Sequence, residues 1–255
     1  MKEFPNDLSV IYDLMYALQA ESRKENADEI IEYGQRILNE STDNSLKGGA
    51  LQSLCFTYYY GKNDAESAKK YARMAGIYAV TVNEMMPHFM DGEAAVEYCQ
   101  SNIQYLVQMI ETNTEIMINK GKFSIEDRIK AREMIIKFYE MLYSDSNYGF
   151  YHVRFSELYE KLARNYLKIN DYDRMFDCLE KSTINAIAFD GLKDGEYTAF
   201  LVNKLKIKTN EAVKDFPENR CGLLLKLIDK YFAEFKGDQR MEKIIDMIEP
   251  IAYMG

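Results

Sequence analysis

Residues 159–182 read Tyr-Glu-Lys-Leu-Ala-Arg-Asn-Tyr-Leu-Lys-Ile-Asn-Asp-Tyr-Asp-Arg-Met-Phe-Asp-Cys-Leu-Glu-Lys-Ser, and this stretch decides the fold. Tyr159, Leu162, Ala163 and Tyr166 recur at helical spacing, Asn170-Asp171-Tyr172 supplies a turn, and Met175, Leu179 and Ser182 resume the spacing. A side chain as small as Ala163 lets two antiparallel helices cross closely, and Leu162 and Tyr166 fill the space beside the crossing. Two weaker copies precede it. Leu51, Leu54, Cys55 and Tyr58 lead, through Gly61-Lys62-Asn63-Asp64, to Ala68, Ala72 and Ala75; Ile11, Leu14, Met15 and Leu18 lead to Ile30, Gly34 and Ile37. The unit recurs at a period near 34 residues, and about three copies are needed for a stack that supports itself.

The rest of the chain is also patterned as helices. From Glu93 to about Asn119, the positions Val96, Cys99, Ile103, Leu106, Ile110, Asn113 and Met117 trace a seam at alternating three- and four-residue intervals. That predicts one helix roughly 40 Å long, with the seam as its contact face. Gly121 ends it, and Ser124-Ile125-Glu126-Asp127 opens a second long helix whose inner face is Ala131, Ile135, Phe138 and Leu142. Further helices are expected at 153–187, 197–206, 220–235 and 239–248, with connecting segments at 85–91 and 190–196. Neither connection has the length or composition of a flexible linker, so residues 1–255 are expected to form one domain. The expected fold is all-α: a superhelical stack of helical hairpins, irregular in the middle where the two long helices lie.

Composition sets outer limits. The 255 residues carry 41 acidic and 32 basic side chains, a formal charge of −9, and 47% are hydrophobic. A chain so charged repels phosphate backbones unless its basic residues are segregated, so direct nucleic-acid contact is not expected. No run approaches the roughly 18 apolar residues of a membrane span. The first residues are charged and lack a secretory signal's apolar core, and Cys55, Cys99, Cys178 and Cys221 show no Cys-x-x-Cys spacing. The expectation is a cytoplasmic chain with reduced thiols.

Catalytic and cofactor motifs are missing. Two histidines, His88 and His152, stand apart from any cysteine pair, so no metal and no cofactor is expected. Asp145-Ser146-Asn147-Tyr148-Gly149 begins like a calcium loop, but its glycine comes early and Ser156 stands where the closing acid belongs. There is no phosphate loop, nucleophile elbow or catalytic-cysteine signature, and the chain is read as non-catalytic. Lys204, Lys206, Lys208 and Lys214 form a basic streak, read as a solvated face.

The bulky–leucine–small–tyrosine order of Tyr159, Leu162, Ala163 and Tyr166 resembles the tetratricopeptide repeat; Met175 and Ser182 depart from it, standing where alanine is usual. More broadly, Phe4-Pro5-Asn6, Cys55 before its tyrosines, Asp91-Gly92-Glu93-Ala94-Ala95-Val96, Asn170-Asp171-Tyr172-Asp173, Ala188-Phe189-Asp190 and Tyr197-Thr198-Ala199-Phe200-Leu201-Val202 follow in order. In that order the chain resembles the C-terminal helical-repeat region of bacterial helix-turn-helix regulators of the xenobiotic-response-element type. The resemblance implies a sensing or dimerising role, with a protein or peptide as ligand or a second copy as partner. The family's preceding helix-turn-helix is not found, leaving either a truncated regulator or a stand-alone relative.

Tyrosine is unusually frequent, at 20 residues with no tryptophan. By tetratricopeptide geometry, Tyr12, Tyr16 and Gln19 would line a concave groove in the first unit and Gln52, Phe56 and Tyr59 in the second. Glu160, Arg164 and Lys168 would line it in the late unit, and Glu160 argues there against a lysine- and asparagine-lined clamp for peptide carboxylates. Aromatic walls over a polar floor suit a peptide. The alternative is that neighbouring helices cover these rings as additional core.

Overall fold

The structure, a computed structural model, describes residues 7–74, 83, 86–209 and 218–252. Phe4-Pro5-Asn6, Ala75, Met85 and Lys214 lie outside the described residues. The chain is all-α, save for one two-residue β-ribbon among the described residues. Its packing divides into two compact units, Met1–Met86 and Pro87–Gly255.

In the first unit, α1 (Leu8–Ser22), α2 (Ala27–Glu40), α3 (Asn44–Phe56) and α4 (Ala65–Met74) pack each on the next. Short acidic side chains start α1, α3 and α4 by accepting the otherwise orphaned N–H groups. The Asp7 carboxylate accepts from Ser9 N at 2.9 Å, Asp43 from Ser45 N at 2.7 Å and Asp64 from Ser67 N at 3.0 Å. Ile11, Met15, Ile30, Ile37 and Ala50 form the core. Gly34 lies where α2 meets α3; a Cβ there would stand 2.8 Å from Leu54 Cγ, so no larger side chain fits. Ala68 is buried beside Tyr71, whereas Ala72 is exposed, so the buried stripe of α4 is narrower than three alanines in step.

The second unit holds α5 (Gly92–Lys120), α6 (Ile125–Leu142), α7 (His152–Lys168), α8 (Tyr172–Asp190), α9 (Arg220–Tyr231) and α10 (Gln239–Ile248). Successive helices again pack in order, most extensively α7 on α8. Their turn is tight because each residue serves one helix end. Asn170 takes the left-handed conformation (φ 58°) and closes α7, with Asp171 N donating to Tyr166 O at 3.0 Å. The Asp171 carboxylate then accepts from Arg174 N at 3.2 Å and opens α8. Ala163, Met175, Leu179 and Ser182 are all fully buried at this crossing, and the Ser182 hydroxyl donates to Ser156 O at 2.8 Å.

Many tyrosines are core. Tyr139, Tyr143, Tyr151 and Tyr197 are buried, with Tyr143 centred 5.3 Å from Tyr197 and 5.4 Å from Tyr151. Burial pushes the Tyr139 and Tyr143 phenols well above their usual range. They stay neutral and hydrogen-bonded: Tyr139 donates to Glu111 Oε2 at 2.5 Å, and Gln104 Nε2 donates to the Tyr143 hydroxyl at 2.7 Å.

The long α5 presents a largely polar face to the core. Gln100, Gln104, Val107, Glu111, Glu115 and Ile118 lie there beside Ile103 of the expected seam, while Leu106, Ile110 and Met117 of that seam are exposed. Inward polar groups carry little penalty when each meets a partner. One expectation is corrected here: residues 197–206 are not a helix. Gly195–Glu196 pairs antiparallel with Lys206–Ile207 around a looped segment. Gln100 satisfies that segment's backbone from outside: its Nε2 donates to Phe200 O at 2.9 Å, and its Oε1 accepts from Lys204 N at 2.7 Å.

Candidate functional site

On the side of α7 carrying Lys161, Arg164, Asn165 and Lys168, a cavity of about 270 Å³ opens towards α5, α6 and the end of α9. Spacings of three and four place those four side chains on one face of α7. The same spacing brings Arg128 and Arg132 together on α6, and Glu115 and Asn119 on α5. Five basic side chains thus converge with a single carboxylate around one cavity, in a chain whose net charge is −9.

That carboxylate is already engaged. Arg132, only 5% exposed, donates twice to Glu115, Nε to Oε1 at 2.8 Å and Nη2 to Oε2 at 3.1 Å, and Lys161 Nζ lies 3.4 Å from Oε2. Burial would raise the Glu115 carboxyl, but the Arg132 hydrogen bonds and the Lys161 charge outweigh it and hold the group below its ordinary value. Arg164 Nη2 donates to Glu160 Oε2 at 3.0 Å, and its guanidinium lies 4.6 Å over the Tyr231 ring, a cation–π contact. Arg128 and Lys168 form no ion pair among the described residues. Asn165 is 6% exposed, and its buried Nδ2 has no hydrogen-bond partner.

Of the residues predicted to line a groove, Arg164 and Lys168 meet at this cavity. Glu160 does not line it: at 3% exposure it lies behind Arg164 and holds that guanidinium in place. Burial raises its carboxyl, with the Arg164 and Arg220 charges working the other way.

The six residues in the first unit lie on α1, on α3 and in the turn that follows α3. Tyr12 and Tyr16 are in ring contact at 4.8 Å on α1, and burial with the Tyr12 hydroxyl raises the Tyr16 phenol to about 12. Arg23 ties α1 to α3, donating to Gln19 Oε1 at 2.8 Å while its guanidinium lies 5.8 Å from the Phe56 ring. Tyr59 and Phe56 meet through Tyr60, and Gln52 is exposed.

Sequence reading passed over Glu115, Asn119, Arg128, Arg132, Lys161, Asn165 and Tyr231. The spacing of Lys161, Arg164, Asn165 and Lys168 was a visible signal; the convergence of three further helices on it was not.

Other candidate chemistry resolves into structure. His152 begins α7, and its Nδ1 lies 2.8 Å from Asn185 Oδ1. In the calcium-like loop, Asn147 Nδ2 donates to Glu196 O at 2.9 Å. Lys204 pairs with Glu93 at 2.8 Å and Lys206 with Glu196. Among the described residues no cluster of acidic, histidine or cysteine side chains is arranged to hold a metal, and no helix is long and apolar enough to cross a membrane. All four cysteines are free thiols, and burial raises the Cys178 thiol to about 12. Comparison of the chain with protein-family models, with curated proteins and with solved structures finds no match in any of the three.

Proposed function

We propose that this chain is a non-catalytic, cytoplasmic module that binds a protein or peptide through a tetratricopeptide-like helical stack, serving as the sensor or dimerisation region of a transcription regulator. The observation that carries the binding half is the cavity on α7, where Lys161, Arg164 and Lys168 converge with Arg128 beside the Tyr231 ring. Such a set of fixed donors beside an aromatic ring suits recognition of a chain with polar groups. The regulatory half rests on the resemblance in sequence and on the order in which successive helices pack. Ligand entering between α5, α6 and α7 would alter how those helices sit and so reposition whatever is attached to them.

A display library of random dodecapeptides panned against the full chain tests this reading. Enriched peptides should bind at micromolar affinity and lose it when Arg164 and Lys168 are both replaced by alanine. Failure to enrich any peptide counts against the reading.

A second reading is a homodimer or interaction scaffold with no link to transcription. It is favoured by the exposed apolar side of α5, where Leu106, Ile110 and Met117 are between 39% and 52% exposed. Sedimentation at micromolar concentration decides it: a monomer removes the dimer.

A further inference from the structure

The geometry points to an acidic peptide segment as the occupant of the α7 cavity, its carboxylates taken by Lys168, Arg128 and Arg164. This rests on the peptide-binding reading above and names the class of peptide.

Two independent features support it. Charge is the first. The cavity gathers five basic groups against one carboxylate, and that carboxylate is consumed by Arg132 and Lys161. Lys168, and Arg128 whose Nε donates to Phe123 O at 3.4 Å, stand outside any ion pair among the described residues and are open to an incoming anion. The second is shape. A cavity of about 270 Å³ lies below the roughly 300–1,000 Å³ of small-molecule sites, but has room for one or two side chains of a longer ligand. The Tyr231 ring and Leu167 on its wall give such a chain apolar contact.

Two other cavities among the described residues offer no comparable set. One of about 360 Å³ between α6, α7 and α8 has Glu133, Glu140 and Asp177 balanced by Lys137, Arg174 and Lys181. A larger one of about 590 Å³ is lined by α10 alone. Nucleic acid fits poorly, because a run of phosphates would extend past a local basic cluster onto a chain of net charge −9.

The test is fluorescence anisotropy of the full chain with two fluorescein-labelled decapeptides. One carries alternating Asp, Glu, Leu and Tyr; the other has Asn and Gln in place of the acids. The acidic peptide should bind about tenfold more tightly than its amide counterpart, and binding should weaken steeply between about 50 and 300 mM salt. Lys168→Glu and Arg128→Glu, each at a side chain outside any ion pair among the described residues, should each weaken the acidic peptide about fivefold to tenfold. Equal binding of the two peptides, or affinity unmoved by both reversals, overturns the inference. So does displacement of the peptide by millimolar inorganic phosphate or by duplex DNA at lower concentration. If only the amide peptide binds, the acidic class fails while peptide binding stands; if neither peptide nor any from the random library binds, both fall.

Discussion

Asn165→Leu is the perturbation that best separates a binding role from a packing role. Leucine is close to asparagine in shape, and the site is 6% exposed with an amide nitrogen that meets no acceptor. A buried donor in that state costs about 1–3 kcal/mol. Removing it stabilises the free protein by up to that amount, less whatever misfit the two methyl groups introduce. In a chain of this size each kcal/mol moves the melting temperature by about 2–4 °C, so the variant should melt roughly 2–10 °C higher. The amide nitrogen is closed to the cavity, so affinity for the acidic decapeptide should stay within about twofold. Thermal denaturation by circular dichroism and anisotropy on the same preparation provide both readouts. A lower melting temperature would show that the Asn165 amide serves the fold and would refute the reasoning. Asn165→Asp sharpens the contrast: a carboxylate beside Arg164 and Lys168 should abolish acidic-peptide binding.

Further expectations follow from the polar core of the second unit. Arg132→Met leaves Glu115 buried without its bidentate partner and should cost about 3–5 kcal/mol in urea denaturation, whereas adding Glu115→Met should recover most of the loss. Ionised Glu115 contributes stability that is in place above the ordinary carboxyl value of 4.5 and is lost as pH falls through its lower native value. Glu115→Gln should therefore flatten the acid limb of the stability–pH curve below about pH 4.5; an unchanged limb contradicts the assignment. Gln100→Ala strands Phe200 O and Lys204 N, and amide exchange should quicken across residues 196–207 while far-ultraviolet helicity is retained.

What could be read from the amino acids was local. The Asn170-Asp171 turn, the Ser124–Asp127 cap and the small residue at Ala163 act within a few positions, so spacing alone placed them. The inner face of α5 escaped because hydrophobic periodicity assumes that apolar groups point inward. Here Gln104, Glu111 and Glu115 do so, each satisfied by a partner on α6 or at its C-terminal cap. Residues 197–206 escaped for the same reason, since the group replacing their helical hydrogen bonds is Gln100, about a hundred positions earlier. In the site, Arg164 and Lys168 followed from the repeat. Arg128, Arg132, Glu115 and Tyr231 belong to it only through tertiary packing.

The central claim is that the basic face of α7 holds the ligand, and a crystal structure of the full chain with a bound acidic peptide tests it most directly. The account predicts peptide carboxylates in the α7 cavity within hydrogen-bonding distance of Lys168 and Arg128. A peptide seated elsewhere, with the α7 cavity filled by solvent, would contradict it.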